Sequence, residues 1–367
     1  MTMAMKRIGI LTGGGDCPGL NAVIRGVTKT AIHKYGLEVI GFYDGFLGLI
    51  ENRFIVLNNE NVSGILTHGG TILGTSNKAN PFEHIVIENG AAVTKDVSNE
   101  TMELYKDLGL GALIAVGGDG TMTISGMLSK KGANVVGVPK TIDKDLMETD
   151  TTFGFDTARS VATEAIDRLH TTAQSHHRVM LVEVMGRNAG WLALESGIAG
   201  GGDIILLPEI PYDLEEIIRV VRARSRFGKR FSIIVVAEGA KPEGGDQVVK
   251  KMVQDSPEKI RLGGISQQLA NQIENATQIE CRVAILGHLQ RGGTPTALDR
   301  ILATQFAVKA MELVVNNQFN QMVALKGDQI TSVSMDKVVG RQKLVPRDSE
   351  LIEAALAVGT SFGQKLN

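Results

Sequence analysis

Along nearly the whole chain, short runs of Val, Ile, Leu and Ala alternate with longer stretches in which apolar residues recur every three or four positions. The runs at 8–12, 37–43, 112–116, 135–138, 179–184, 204–207, 232–237 and 282–286 read as strands. Most are apolar at successive positions rather than alternate ones, which suits strands covered by helices on both faces. The helical period falls between them, at 21–34, 101–108, 121–130, 157–172, 214–226, 261–274 and 295–314. A last apolar helix at 350–357 is expected to pack against the body, and 241–246 reads as a polar surface loop. This βαβα order predicts an α/β fold built from two doubly wound, Rossmann-like parallel-sheet domains.

Composition narrows the class. The 367 residues carry 38 Lys and Arg against 40 Asp and Glu, a net charge of −2. That excludes nucleic-acid binding through bulk basic charge and excludes an acidic disordered chain. Aromatic residues make up only 4%, so the core is filled by aliphatic side chains and Met. Glycine is enriched, at 43 residues, without a collagen-like period. Those glycines are expected at turns and where backbone closely approaches a ligand. Two cysteines, Cys17 and Cys281, exclude a disulfide framework and a cysteine zinc site. No apolar run reaches the roughly 18 residues of a membrane span, and the first residues lack a signal-peptide core. A cytoplasmic α/β enzyme is the expectation.

Five glycine-rich clusters stand where strand candidates end. The first is Thr12-Gly13-Gly14-Gly15-Asp16-Cys17-Pro18-Gly19. A glycine triplet between strand and helix turns backbone N–H groups toward an anion, although a plain tight turn would look the same. It matches neither the dinucleotide fingerprint nor the P-loop. Gly117-Gly118-Asp119-Gly120-Thr121 follows, with a carboxylate and a hydroxyl at a helix start. An acid beside a phosphate calls for a shared Mg²⁺; the plainer alternative is Asp119 as a helix N-cap. Pro139-Lys140-Thr141-Ile142-Asp143-Lys144-Asp145 puts two carboxylates at i and i+2 after a strand. There one can act as a general base while the other holds position, or both can stand in a solvated loop. Glu183-Val184-Met185-Gly186-Arg187 and Gly287-His288-Leu289-Gln290-Arg291-Gly292-Gly293 add Arg187, His288 and Arg291, side chains suited to a sugar phosphate.

In this order and spacing, the five clusters resemble the phosphofructokinase family over nearly the whole chain. The resemblance implies that the active site lies in a cleft between the two domains. One is expected to span 1–153 with about 289–340 and to take the phosphoryl donor with Mg²⁺; the other spans 154–288 with about 341–367 and takes fructose 6-phosphate. It further implies that Gly14, Gly15, Asn77, Lys78, Gly118, Asp119, Gly120 and Thr121 hold the donor, with Asp119 on the metal. Asp143 would be the base for the C1 hydroxyl, assisted by Gly15, Lys140 and Arg187. Thr141, Asp145, Met185, Gly186, Arg187, Glu238, His288 and Arg291 would contact the sugar phosphate. Arg178 and Arg282 would reach a neighbouring subunit's site in a homodimer or homotetramer.

Two departures bear on specificity. Asn77 stands where many ATP users carry arginine, with Lys78 beside it as a point charge. Arg25, Lys29 and Arg53 suit an anionic effector, but His170 replaces an arginine there. Pyrophosphate users tend to carry Asp at the position of Gly120 and Lys at that of Lys140, whereas many ATP users carry Gly at both. Gly120 removes a charge that would repel the α-phosphate of ATP, so ATP is the expected donor and pyrophosphate the alternative. The NAD-kinase and lipid-kinase group shares only the Gly-Gly-Asp-Gly-Thr cluster. A non-catalytic sugar-phosphate-binding regulator would be expected to lack Asp119 or Asp143, and the chain has both.

Overall fold

The computed structural model of the chain describes residues 5–88, 91–226, 230–252 and 260–365. Two compact units divide it. The first comprises Met1–Ile142, Leu146–Asp156 and Arg291–Gln342; the second comprises Asp143–Asp145, Thr157–Gln290 and Lys343–Asn367.

In the first unit the strands Val135–Thr141, Leu110–Gly117, Arg7–Thr12 and Glu38–Phe42 lie side by side and parallel. They are buried almost throughout, because helices such as Asp119–Lys130 and Ala297–Val315 cover them. Gln321–Lys326 joins in parallel beside Val135–Thr141. The two ends of the sheet are antiparallel: Gln329–Ser334 pairs with Gln321–Lys326, and Phe54–Leu57 with Glu38–Phe42. Leu11, Phe42, Leu113, Ala115 and Met122 belong to the core on this sheet. Full burial of a Leu, Phe or Met side chain such as these contributes about 1.5–3 kcal/mol. The helix expected over 21–34 is two pieces, Leu20–Thr30 and a wider turn at Ala31–Tyr35.

The second unit holds a four-stranded sheet, all parallel, in the order Ile204–Leu206, Ser232–Ala237, Val179–Val184, Cys281–Ile285. Trp191–Ala199, Leu214–Arg226, Ile265–Thr277 and Glu350–Ala357 are its helices after the long Phe155–His176. The expected helix start at 261 is wrong. Ile260–Leu262 is a strand paired with Val249–Met252, and Gly263 and Gly264, at φ 134° and 92°, separate it from the helix. Glu183, only 3% exposed, accepts hydrogen bonds from the Gly264 and Ser266 N–H groups and from the Ser266 hydroxyl. It thereby takes up orphan donors at that helix start. Among the described residues no helix is long and apolar enough to cross a membrane.

Candidate active site

In the first unit, the loop after Arg7–Thr12 is tied down on both sides. The Gly13 N–H donates to the Val116 carbonyl at 2.8 Å, and the Gly14 N–H to the Ser76 carbonyl at 3.0 Å. The Thr75 hydroxyl donates to the Gly14 carbonyl at 2.6 Å. Gly14 takes φ 77°, a left-handed conformation that favours glycine. Lys140, 3% exposed, donates its ammonium to the Gly15 carbonyl. A Cβ on Gly14 would lie 3.5 Å from that ammonium, and one on Gly15 would lie 2.9 Å from the Arg291 Nη1. Arg291 donates to the Asp16 carbonyl at 3.0 Å. Gly14, Gly15, Lys140 and Arg291 therefore form one group, and Arg291 keeps company with the glycine loop.

The second glycine cluster meets the first through Thr121. Its side chain packs where Cβ atoms on Gly13 or Gly117 would collide with it. Gly118 precedes the helix Asp119–Lys130, and Asp119 is the first helical residue. The alternative of Asp119 as N-cap is therefore not what forms: Gly118 holds that position and no side chain caps it. Nothing lies within 4 Å of a Cβ built on Gly120, which is exposed at the start of a twelve-residue helix. The N–H groups and dipole of such a helix start attract anions. Asp119 accepts the Gly340 N–H at 3.3 Å, and burial raises its carboxyl above the usual carboxylate value. Asn77 and Lys78 are exposed just beyond Ser76, whose hydroxyl oxygen accepts the Lys78 N–H at 3.2 Å. Thr141 offers its carbonyl to the Thr152 hydroxyl at 2.7 Å. Burial pushes the Cys17 thiol up to about 12, so the cysteine in the glycine loop is no nucleophile.

In the second unit, the Met185 N–H donates to Gln290 Oε1 at 3.4 Å, while Gln290 Nε2 donates to the Gly287 carbonyl at 3.0 Å. This fully buried amide joins the Met185-Gly186-Arg187 loop to the turn that bears His288. Gly186 takes φ 137°, and its carbonyl accepts the Gly239 N–H at 3.1 Å. The Arg187 carbonyl lies so close to Gly239 that a Cβ there could not fit, and it also accepts Gln247 Nε2 at 2.9 Å. Glu238, next to Gly239, donates its N–H to the Val184 carbonyl at 2.9 Å. Met185, Gly186, Arg187, Glu238 and His288 thus stand on connected loops. Asp143 and Asp145 flank Lys144, whose ammonium pairs with Glu195 at 2.7 Å. Arg178 and Arg282 both pair with Glu280, and chiefly Arg178 holds that carboxyl below its usual value.

Several of these contributors escaped the sequence reading. Thr75 and Ser76 carry no signal in an ordinary loop. Gln290 lay inside a quoted cluster, but only its burial shows that it links two loops. Glu195 sits in an apolar helix where a lone acid looks like solvated surface.

The two parallel-sheet units with glycine loops at strand ends define a class of phosphate-handling α/β proteins. The chain matches the phosphofructokinase family model over residues 7–314 and belongs to that family. It is 57% identical over 364 residues to "ATP-dependent 6-phosphofructokinase 2" of Clostridium perfringens, covering 99% of this chain and 100% of the relative. It is 50% identical over 341 residues to "Pyrophosphate--fructose 6-phosphate 1-phosphotransferase" of Amycolatopsis mediterranei, covering 93% and 96%. Among solved structures, Pichia pastoris phosphofructokinase in the T-state superposes with a TM-score of 0.79 at 28% identity, covering 98% of this chain and 37% of that longer one.

Proposed function

We propose that this chain transfers the terminal phosphoryl group of ATP to the C1 hydroxyl of fructose 6-phosphate, the kinase step of glycolysis. The observation that carries ATP as donor is the open, uncharged position at Gly120 on the start of Asp119–Lys130. It is supported by the 57% identity to a relative named for ATP. An acidic side chain at Gly120 would set a negative charge against the nucleotide's α-phosphate; glycine offers neither charge nor bulk. The second reading, pyrophosphate as donor, draws on Lys140 and on the relative named for that reaction. Lys140 bonds the Gly15 carbonyl and suits a phosphoryl group from either donor, so it discriminates less.

In the proposed mechanism the Gly14 and Gly15 backbone, Gly118, Thr121 and the helix start hold the donor phosphates, with Asn77 and Lys78 at the edge. Arg187, His288, Glu238, Met185, Gly186 and Arg291 hold the sugar phosphate, with Thr141 and Asp145 beside the base. Asp143 takes the proton of the C1 hydroxyl, the oxygen forms a bond to the γ-phosphorus, and the bond from that phosphorus to the bridging oxygen breaks to release ADP. Such a transfer needs positioning and charge neutralisation more than covalent chemistry. Asp119 suits Mg²⁺: among the described residues no three acids or histidines gather as a complete cage. One half-buried carboxylate plus substrate phosphates is the way this ion is usually held. Bound there, the ion would neutralise charge on the phosphates. The sugar phosphate and nucleotide as substrates imply a cytoplasmic enzyme.

The test compares initial rates with ATP and with pyrophosphate at equal Mg²⁺ and fructose 6-phosphate. A larger kcat/KM for ATP is expected. A larger value for pyrophosphate would make Lys140 the controlling residue.

A further inference from the structure

The three residues Asp143–Asp145 group with the second unit, although the chain up to Ile142 and from Leu146 groups with the first. So short an excursion needs an anchor. Lys144 takes φ 55°, a left-handed conformation uncommon for a long side chain. Its ammonium pairs with Glu195 Oε1 at 2.7 Å, with both side chains largely buried. The other oxygen of Glu195 takes Arg159 Nη1 at 2.6 Å. The Lys144 ammonium also lies 5.0 Å from the centre of the Trp191 ring, within range of a cation–π attraction. The Trp191 indole N–H donates to the Lys343 carbonyl at 2.8 Å. In turn the Lys343 N–H donates to the Asp145 carbonyl at 2.8 Å. The turn is therefore pinned at Lys144 by side chain and at Asp145 by backbone, the two residues after Asp143.

We propose that Lys144, held by Glu195 and Trp191, is a positioning residue for Asp143. This rests on the reading of Asp143 as the general base. A base acts only within hydrogen-bond reach of the hydroxyl it deprotonates, and small displacements of a reacting group cost rate far more than binding. A surface ion pair would matter little to either. This one is mostly buried, and it sits on a lysine held in a left-handed backbone conformation that is uncommon for such a residue. Without the anchor, the turn relaxes and the carboxylate swings off the C1 hydroxyl, while the loops that carry Arg187 and His288 are untouched.

Trp191 is the chain's one tryptophan, so its emission reports the anchor directly. Lys144→Met, Lys144→Arg, Glu195→Gln and Asp143→Asn are compared in the full-length enzyme. Lys144→Met should change the Trp191 emission and lower kcat about tenfold or more, with KM for fructose 6-phosphate within about threefold of wild type. Lys144→Arg, which can still pair with Glu195, should recover most of kcat. Wild-type kcat in Lys144→Met, or a loss carried by KM instead, would overturn the proposal. If Lys144→Met does not fold, Glu195→Gln keeps the volume of the acid and carries the same expectation, and wild-type kcat there overturns the proposal equally. Asp143→Asn tests the underlying reading by itself. Full activity in that variant removes Asp143 as base whatever Lys144 does, whereas a severe loss there beside normal Lys144→Met and Glu195→Gln enzymes removes only the positioning role.

Discussion

Asp119 shows how burial can make one side chain cost stability. Burial lifts its carboxyl above the usual value, only partly offset by the Gly340 N–H. The folded protein therefore binds this proton more readily than the unfolded chain does. The unfavourable contribution is absent below the ordinary carboxylate range near about pH 4. It grows as pH rises and is complete once pH exceeds the raised folded value. Asp119→Asn should accordingly melt at a higher Tm than wild type at neutral pH without ligands, with the gap closing on acidification, while losing most of its activity. Thermal melts of both proteins across that pH range check it; a gap constant with pH would show that burial of the charge is not the cause. Gly120 offers the opposite experiment. Open space surrounds its Cβ direction, so Gly120→Asp should fold normally and keep its affinity for fructose 6-phosphate. Its kcat/KM for ATP should fall by about two orders of magnitude or more, since a like charge set against a phosphate costs several kcal/mol. Unaltered ATP turnover in steady-state assays would show that Gly120 does not face the nucleotide.

At the scale of elements, Glu183 does for the helix Ile265–Thr277 what a capping side chain does elsewhere, from a neighbouring strand. It accepts two N–H groups and a hydroxyl while almost wholly buried. Glu183→Gln removes the charge and turns one acceptor into a donor facing donors, so stability should drop by about 1–3 kcal/mol. The urea midpoint reads this, and an unchanged midpoint would mean water replaces the lost contacts. The same pair of elements marks where the sequence could and could not be read. Arg7–Thr12, Leu110–Gly117, Val179–Val184 and Ser232–Ala237 were visible as apolar runs because they are buried at successive positions, on both faces. Gln329–Ser334 was not, because this strand at the end of the sheet mixes polar with apolar residues; Phe54–Leu57 is apolar throughout but only four residues long, too short a run to tell from any other apolar stretch. Ile260–Leu262 was absorbed into the helix that follows it, since the break lies in the backbone of Gly263 and Gly264 rather than in hydrophobicity. Within the site, glycine loops and lone acids stand out in a one-dimensional string. Lys144 with Glu195 and Gln290 with Met185 are pairings across 51 and 105 positions, which only folding brings together.

For the molecule as a whole, the open question is whether one chain makes a complete site. Arg178 and Arg282 were expected to serve a neighbouring copy, yet within the chain both engage Glu280, which stands between them in sequence space and is itself exposed enough to release them. Ion pairs this exposed hold their partners weakly, so if the two arginines serve a sugar phosphate, that bidentate acceptor would compete with Glu280 for them. If the arginines act across subunits, two differently crippled chains should repair each other. A chain carrying Arg178→Ala and Arg282→Ala retains Asp143 but has no arginines to lend. A chain carrying Asp143→Asn has arginines to lend but no base. Co-refolded in equal amounts, the two should assemble some sites with both functions and regain a substantial part of wild-type kcat, on the order of a quarter if subunits mix at random and each site draws on two chains. Activity no higher than the sum of the separate variants, with light scattering showing mixed oligomers, would place both arginines in the service of their own chain.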